Sequence, residues 1–183
     1  KYSTLQAQLD QADLAQYARE HVPRQRNITG QANATLRLTG TSRGMDTLRG
    51  DGKVWLRKAV LSELPVMVAL LKILSVKPVD KTAFTASDVD FRINGENIYL
   101  DRIVFNGDAI SLKGAGEVNF DRRVNLKFYT LVGNESRRIP IIWPLLADAS
   151  RRILMIEVTG SLDNPVTTRN VLPGLNSTIE RLF

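Results

Sequence analysis

Cysteine is absent from the 183 residues, which removes disulfides, thiolate nucleophiles and every cysteine-based metal site at once, and is compatible with an oxidising compartment. Histidine occurs once, at His21, close to Pro23 in a basic stretch, so any Ser-His-Asp arrangement would have to use that one imidazole. A surface position is the expectation there. Long apolar runs are also missing: the longest, Leu64 to Leu74, is broken by Lys72 and falls short of the roughly 20 residues that cross a bilayer. Blocks of one charge are missing too. The net charge of +6 comes from Lys and Arg spread along the chain, with no run of five or more, which describes a solvated basic surface. Trp55 and Trp143 stand too far apart to form a base-stacking platform, and no nucleic-acid partner is expected. Lys1 is preceded by neither an initiator methionine nor a basic-then-apolar leader, and the expectation is a piece of a longer precursor.

What is present describes a folded domain. Hydrophobic residues make up 43% and charged residues 24%, enough to build a core and too apolar for a disordered chain. Residues 8–20 place Leu9, Ala12 and Tyr17 near helical spacing, with Asp10 or Asp13 as a possible N-cap, and predict a short helix. From Ala32 the period becomes two. Leu36 and Leu38 alternate with Arg37 and Thr39, and Leu48, Val54 and Leu56 alternate with Arg49, Lys53 and Arg57, the pattern of half-buried antiparallel strands. Residues 62–75 interrupt this with Pro65 in a first turn and Val66, Met67, Leu70, Leu71 and Leu74 at helical spacing. Such a helix must dock on something apolar.

Strand follows strand after that. Val89, Phe91 and Ile93 alternate with Asp88, Asp90 and Arg92; Tyr99, Ile103 and Phe105 oppose Arg102; Ile110 and Leu112 oppose Ser111 and Lys113. Val118 and Phe120, then Val124, Leu126 and Phe128, continue the pattern, separated by turn signals such as Asn94-Gly95-Glu96-Asn97. A meander results. Residues 140–153 read as a second apolar helix, Leu154 to Leu162 as a last strand that Pro165 ends, and 175–183 as a terminal helix. Arg49-Gly-Asp-Gly-Lys-Val-Trp-Leu and Lys113-Gly-Ala-Gly-Glu-Val-Asn-Phe echo one another, with glycine at alternate positions, which permits curvature or close approach of another element. The expected fold is mainly β with α: a twisted, curled antiparallel sheet, a β-groove or half-barrel, with two or three apolar helices.

Few residues point to chemistry. Asp88 and Asp90 share a strand face and could hold a hard cation, but a solvated face is the plainer reading. Gly114-Ala-Gly116 joins strands and opens no helix, so it is no phosphate loop. No nucleophile and base stand at plausible spacing, so neither an enzyme nor a cofactor or metal site is expected.

An ordered set of motifs resembles the C-terminal region of AsmA-like proteins. It comprises Leu48-Arg-Gly-Asp-Gly-Lys-Val-Trp-Leu-Arg-Lys-Ala-Val-Leu, Glu63-Leu-Pro-Val-Met-Val-Ala-Leu-Leu, Asp90-Phe-Arg-Ile-Asn-Gly-Glu-Asn-Ile-Tyr-Leu-Asp-Arg-Ile, Leu112-Lys-Gly-Ala-Gly-Glu-Val-Asn-Phe and Val158-Thr-Gly-Ser-Leu-Asp-Asn-Pro. The resemblance divides the chain into 1–46, the end of a preceding strand-rich sheet, 47–172, the AsmA-like C-terminal region, and 173–183, a tail or short helix, all in one continuous domain. It implies a periplasmic segment of a protein anchored in the inner membrane of a diderm bacterium and implicated in phospholipid transport to the outer membrane. Its partners would be phospholipid acyl chains, the rest of the same polypeptide and other envelope proteins.

The residues supply a candidate surface for that role. Val89, Phe91, Ile93, Ile103, Phe105, Ile110, Leu112, Val124, Leu126 and Phe128 form one apolar sheet face, which needs a cover of helices, a second sheet or acyl chains. A lipid-contacting groove is one reading. The other is a structural or protein-docking module of the envelope, with its core closed by segments 62–75 and 140–153 and no lipid site.

Overall fold

A computed structural model describes residues 2–21, 28–61, 64–74, 84–107, 111–131 and 153–172. Nine strands lie in chain order in one antiparallel sheet: β1 (Tyr2–Asp13), β2 (Gln31–Thr41), β3 (Arg49–Arg57), β4 (Ala86–Asn94), β5 (Asn97–Asn106), β6 (Ser111–Asn119), β7 (Arg123–Leu131), β8 (Ile153–Ser161) and β9 (Pro165–Leu172). Each strand pairs with its chain neighbours, leaving β1 and β9 as the edges of an open sheet. Helix α1 (Leu14–His21) follows β1, and α2 (Pro65–Ile73) falls between β3 and β4 in sequence. The fold is thus the expected mainly β meander. The expected segment 140–153 lies outside the described residues except Ile153, which opens β8, and the 175–183 helix lies outside them altogether.

Register sorts the side chains into two faces. One row runs Leu36, Gly52, Phe91, Leu100, Gly116, Leu126, Val158 across β2 to β8; the next runs Ala34, Val54, Val89, Ile103, Gly114, Phe128, Ile156. The two glycine pairs of the sequence echo, on β3 and β6, both fall on this inner face. The opposite face carries Lys53, Asp88, Asp90, Arg92, Arg102, Lys127 and Glu157.

Three expectations are corrected. The helix expected over 8–20 is a strand up to Asp13, because residues 2–9 pair continuously with β2 and only Leu14–His21 is helical. A bulge between Leu9 and Ala12, with Gln11 at φ 49°, keeps both on the inner face, so their three-residue spacing imitated a helix. Asp13 is the cap: its Oδ1 accepts the Ala15 N–H at 2.8 Å. On β5, Tyr99 does not share a face with Ile103 and Phe105. An extra residue between Leu100 and Ile103 shifts the register against both neighbours, so Leu100 takes the inner face and Tyr99 lies on the outer one, under the Arg92 guanidinium at 5.8 Å. Finally, Pro165 does not end the pairing but begins β9, opposite Gly160. Proline is tolerated at the first position of an edge strand, where its missing donor interrupts no second ladder.

Gly95 opens the two-residue turn between Asn94 and Asn97 with φ 62°, a region that a residue bearing Cβ enters at a cost of about 1 kcal/mol. No neighbouring atom comes closer than 3.6 Å to where its Cβ would lie, so the penalty is conformational alone. Gly95→Ala is accordingly expected to lower stability by about 1 kcal/mol, checked by urea unfolding with an unchanged m-value.

Candidate functional site

The inner face divides into two unlike halves. Over β5 to β8 it is sealed: Met67, Leu70, Leu71 and Leu74 of α2 and its C-terminal end form one buried cluster with Ile103, Leu112, Val124, Leu126, Phe128, Leu154, Ile156 and Val158. α2 also contacts β9, six strands beyond the strand it follows, which fits a sheet curled toward this face. Phe84 joins from the chain entering β4, its ring 5.8 Å from Phe105, which lies 5.7 Å from Phe128. Each fully buried Leu or Phe contributes about 1.5–3 kcal/mol, so this half is an ordinary close-packed core.

On β3 and β4 the same face joins this core only in part: Leu56 and Val89, with Leu14 of α1, pack against the cluster. Leu36, Leu38, Val54 and Phe91 are half-buried and lie outside the cluster, while Leu5 and Leu9 on β1 are 54% and 47% exposed. Among the described inner-face side chains of β1 to β8 none is charged; Arg169 on β9 is the first. Exposed apolar side chains are unremarkable singly, but a contiguous set on one sheet face marks a surface built to be covered.

The ten residues expected to form the face therefore fall into four groups. Ile103, Leu112, Val124, Leu126 and Phe128 are buried in the α2 cluster, with Val89 and Phe105 packed against it. Ile93 is buried outside the cluster, and Phe91 is the member that stands in the open half. Ile110 lies outside the described residues. Sequence reasoning missed Leu9, because residues 8–20 were read as a helix, assigned Leu5 and Ala7 to no face, and passed over Leu36, Leu38 and Val54, whose alternation signalled a strand but not a half-buried apolar surface.

On the outer face the charges neutralise one another. Asp90 accepts from Arg102 at 2.8 Å and lies 3.5 Å from Lys53; Asp88 pairs with Arg57 at 2.5 Å; Arg92 grips Asp101 through both Nε and Nη2 at 2.6 Å. That hydrogen bond, and then the charge of Asp101, hold the Arg92 guanidinium above its usual range, so it stays protonated wherever the protein is handled. Asp88 and Asp90 are thus occupied by cations of the protein itself. Exposed pairs of this kind are worth about 0–1 kcal/mol. Asp90→Asn is expected to cost no more than about 1 kcal/mol, with the difference shrinking between low and high salt; a larger, salt-insensitive loss in thermal unfolding would contradict this.

Among the described residues no group of three His, Asp or Glu side chains gathers as metal ligands, and no helix is long and apolar enough to cross a membrane. His21 closes α1. A shallow depression of about 400 Å³ on β1 to β3, lined chiefly by Gln6, Gln8, Thr35, Arg37 and Asp51, brings together no nucleophile and base. Comparison with protein-family models, with curated proteins and with solved structures finds no match. The likeness to AsmA-like proteins rests on the order of the motifs alone.

Proposed function

We propose that this chain is a lipid-binding segment of an envelope-spanning AsmA-like protein acting in phospholipid transport between the inner and outer membranes, without catalysis of its own. The observation that carries the reading is the exposed and half-buried part of the inner face, where Leu5, Leu9, Leu36, Leu38, Val54 and Phe91 form an uncharged strip against an ionic outer face. Hydrocarbon suits such a strip: each methylene taken from water contributes about 0.8 kcal/mol and asks for no polar partner, so a binding surface needs no motif. Placement in the periplasm, on a protein anchored in the inner membrane, follows from the family likeness.

The second reading, a structural or docking module of the envelope, draws on the sealed half, since α2 leaves the β5 to β8 surface no room for a ligand. Native mass spectrometry of the purified chain separates the two. Co-purified phospholipid, released by mild activation, is the expected result. A chain that stays at its bare mass after exposure to phospholipid vesicles sinks the lipid reading and leaves the docking module.

A further inference from the structure

We infer that Asp101 is an inserted corner residue: the bulge it makes in β5, the middle strand, bends the sheet so that both flanks close on α2, and Arg92 holds that bulge in place. Register identifies the extra residue. Asp90 and Phe91 are consecutive on β4 while their β5 partners are Arg102 and Leu100, and on β6 Ala115 alone stands between the partners of Leu100 and Ile103. Without Asp101 the order Leu100, Arg102, Ile103 would still alternate inward, outward, inward, so the residue is not needed to keep apolar side chains on the inner face. Its effect is on shape. A bulge adds backbone to one strand only, so that strand bends and its twist increases.

The packing puts the bend where one is required. The core around α2 takes Leu56 of β3 and Val89 of β4 on one side of the bulge and Leu154, Ile156 and Val158 of β8 on the other, and α2 also contacts β9. In a flat sheet β3 and β8 would stand roughly 24 Å apart, about twice the width of a helix with its side chains. One helix can close a core with both only if the sheet curls between them. Ile103, just after the bulge, is part of that core, and Leu100, just before it, packs against it.

The outer face shows what holds the bulge. Both of its side chains are exposed there and both are gripped by β4: Asp101 accepts from Nε and Nη2 of Arg92 at 2.6 Å, and Arg102 donates to Asp90 at 2.8 Å, with Lys53 of β3 3.5 Å from the same carboxylate. Asp101 is the one carboxylate of β5, so without it Arg92 has no anionic partner on that strand. The insertion thus lets two adjacent residues of opposite sign meet the two charges of β4 while the apolar residues on either side stay inward.

The absence of cysteine allows two spin labels to be placed without background, at Arg37→Cys on β2 and Thr168→Cys on β9, both exposed on the outer face. Double electron-electron resonance then reads the span across the bend. Deleting Asp101 from this labelled chain should lengthen the mean distance by about 5 Å, one strand spacing, with the strand signal in circular dichroism retained. An unchanged distance in a folded deletion chain overturns the corner. Asp101→Lys keeps the chain length and sets a third cation beside Arg92 and Arg102, so the bulge loses its grip. The distance distribution should at least double in width, and a width equal to the parent's overturns the proposal even where the deletion chain does not fold. Asp163→Lys breaks a comparably exposed pair, that with Arg122 at a hairpin tip, and should leave the distribution as in the parent. Equal broadening there would mean that any lost ion pair loosens the sheet, and the corner would have no part of its own.

Discussion

Leu126→Asp should abolish the cooperative thermal transition, whereas Phe91→Asp should keep it, lowered by roughly 4–8 °C for a loss of about 2 kcal/mol. Leu126 is 4% exposed within the α2 cluster, so the new carboxylate has neither water nor a partner, and either it ionises at a cost of several kcal/mol or the cluster opens. Set against a total stability of about 5–15 kcal/mol, that cost, added to the lost packing of a leucine, removes most of the fold. Phe91 is half-buried and lies outside the cluster, so water reaches the carboxylate and only part of a phenyl ring's burial is forfeited. Lipid capture should respond in the opposite order of subtlety: Phe91→Asp, though folded, should lose acyl-chain labelling at Leu36, since a charge in the floor of the strip drags water with it. Two variants that melt alike would mean that Phe91 belongs to the closed core, and the open half would have to be given up.

The second large effect concerns a glycine. Gly114→Ala should destabilise by about 3 kcal/mol, the upper part of the range for overpacking a core, and Gly52→Ala by less. At Gly114 the added carbon would lie 2.5 Å from Phe128 Cδ1 and 2.6 Å from the Lys127 carbonyl oxygen. Phe128 is fully buried and packed against the tilted ring of Phe105, so the ring has little room in which to yield. At Gly52 the cross-strand carbonyl, that of Thr35, is equally close, but the ring involved is the half-buried Phe91, whose Cζ end can swing outward. Urea unfolding of both variants measures the difference. Equal losses would mean that the backbone contact alone sets the penalty and that the covering of the two halves does not matter.

Much of the sheet was legible in the chain because each strand face repeats every second residue, and that period survives any packing. Val89, Phe91 and Ile93, or Val124, Leu126 and Phe128, could belong to one face only, and the short turns between them left no connection but a meander. The segment around Pro65 announced α2 by its proline and its leucine spacing. Where a strand carries an extra residue the period breaks, and there the reading failed: Tyr99 was counted with Ile103 although a bulge at residues 101–102 turns it outward. The bulge after Leu9 likewise gave β1 the look of a helix. Bulges are set by how a strand matches both neighbours, which one segment does not record.

What the sequence by itself determined is that this chain has an apolar face and an ionic face, with glycine placed so that large side chains can lie across the apolar one. Only the tertiary structure decided which part of that face is core and which is surface. The alternation of Leu36, Val54 and Phe91 is indistinguishable from that of Leu112, Leu126 and Ile156, because periodicity says which way a side chain points and nothing about what lies above it. That depends on α2, which leaves the sheet after β3 and is buried over β5 to β8, a contact between residues far apart in the chain. Its apolar surface could have covered either half; it is buried with the farther one, and among the described residues Leu36, Leu38, Val54 and Phe91 stay half-buried.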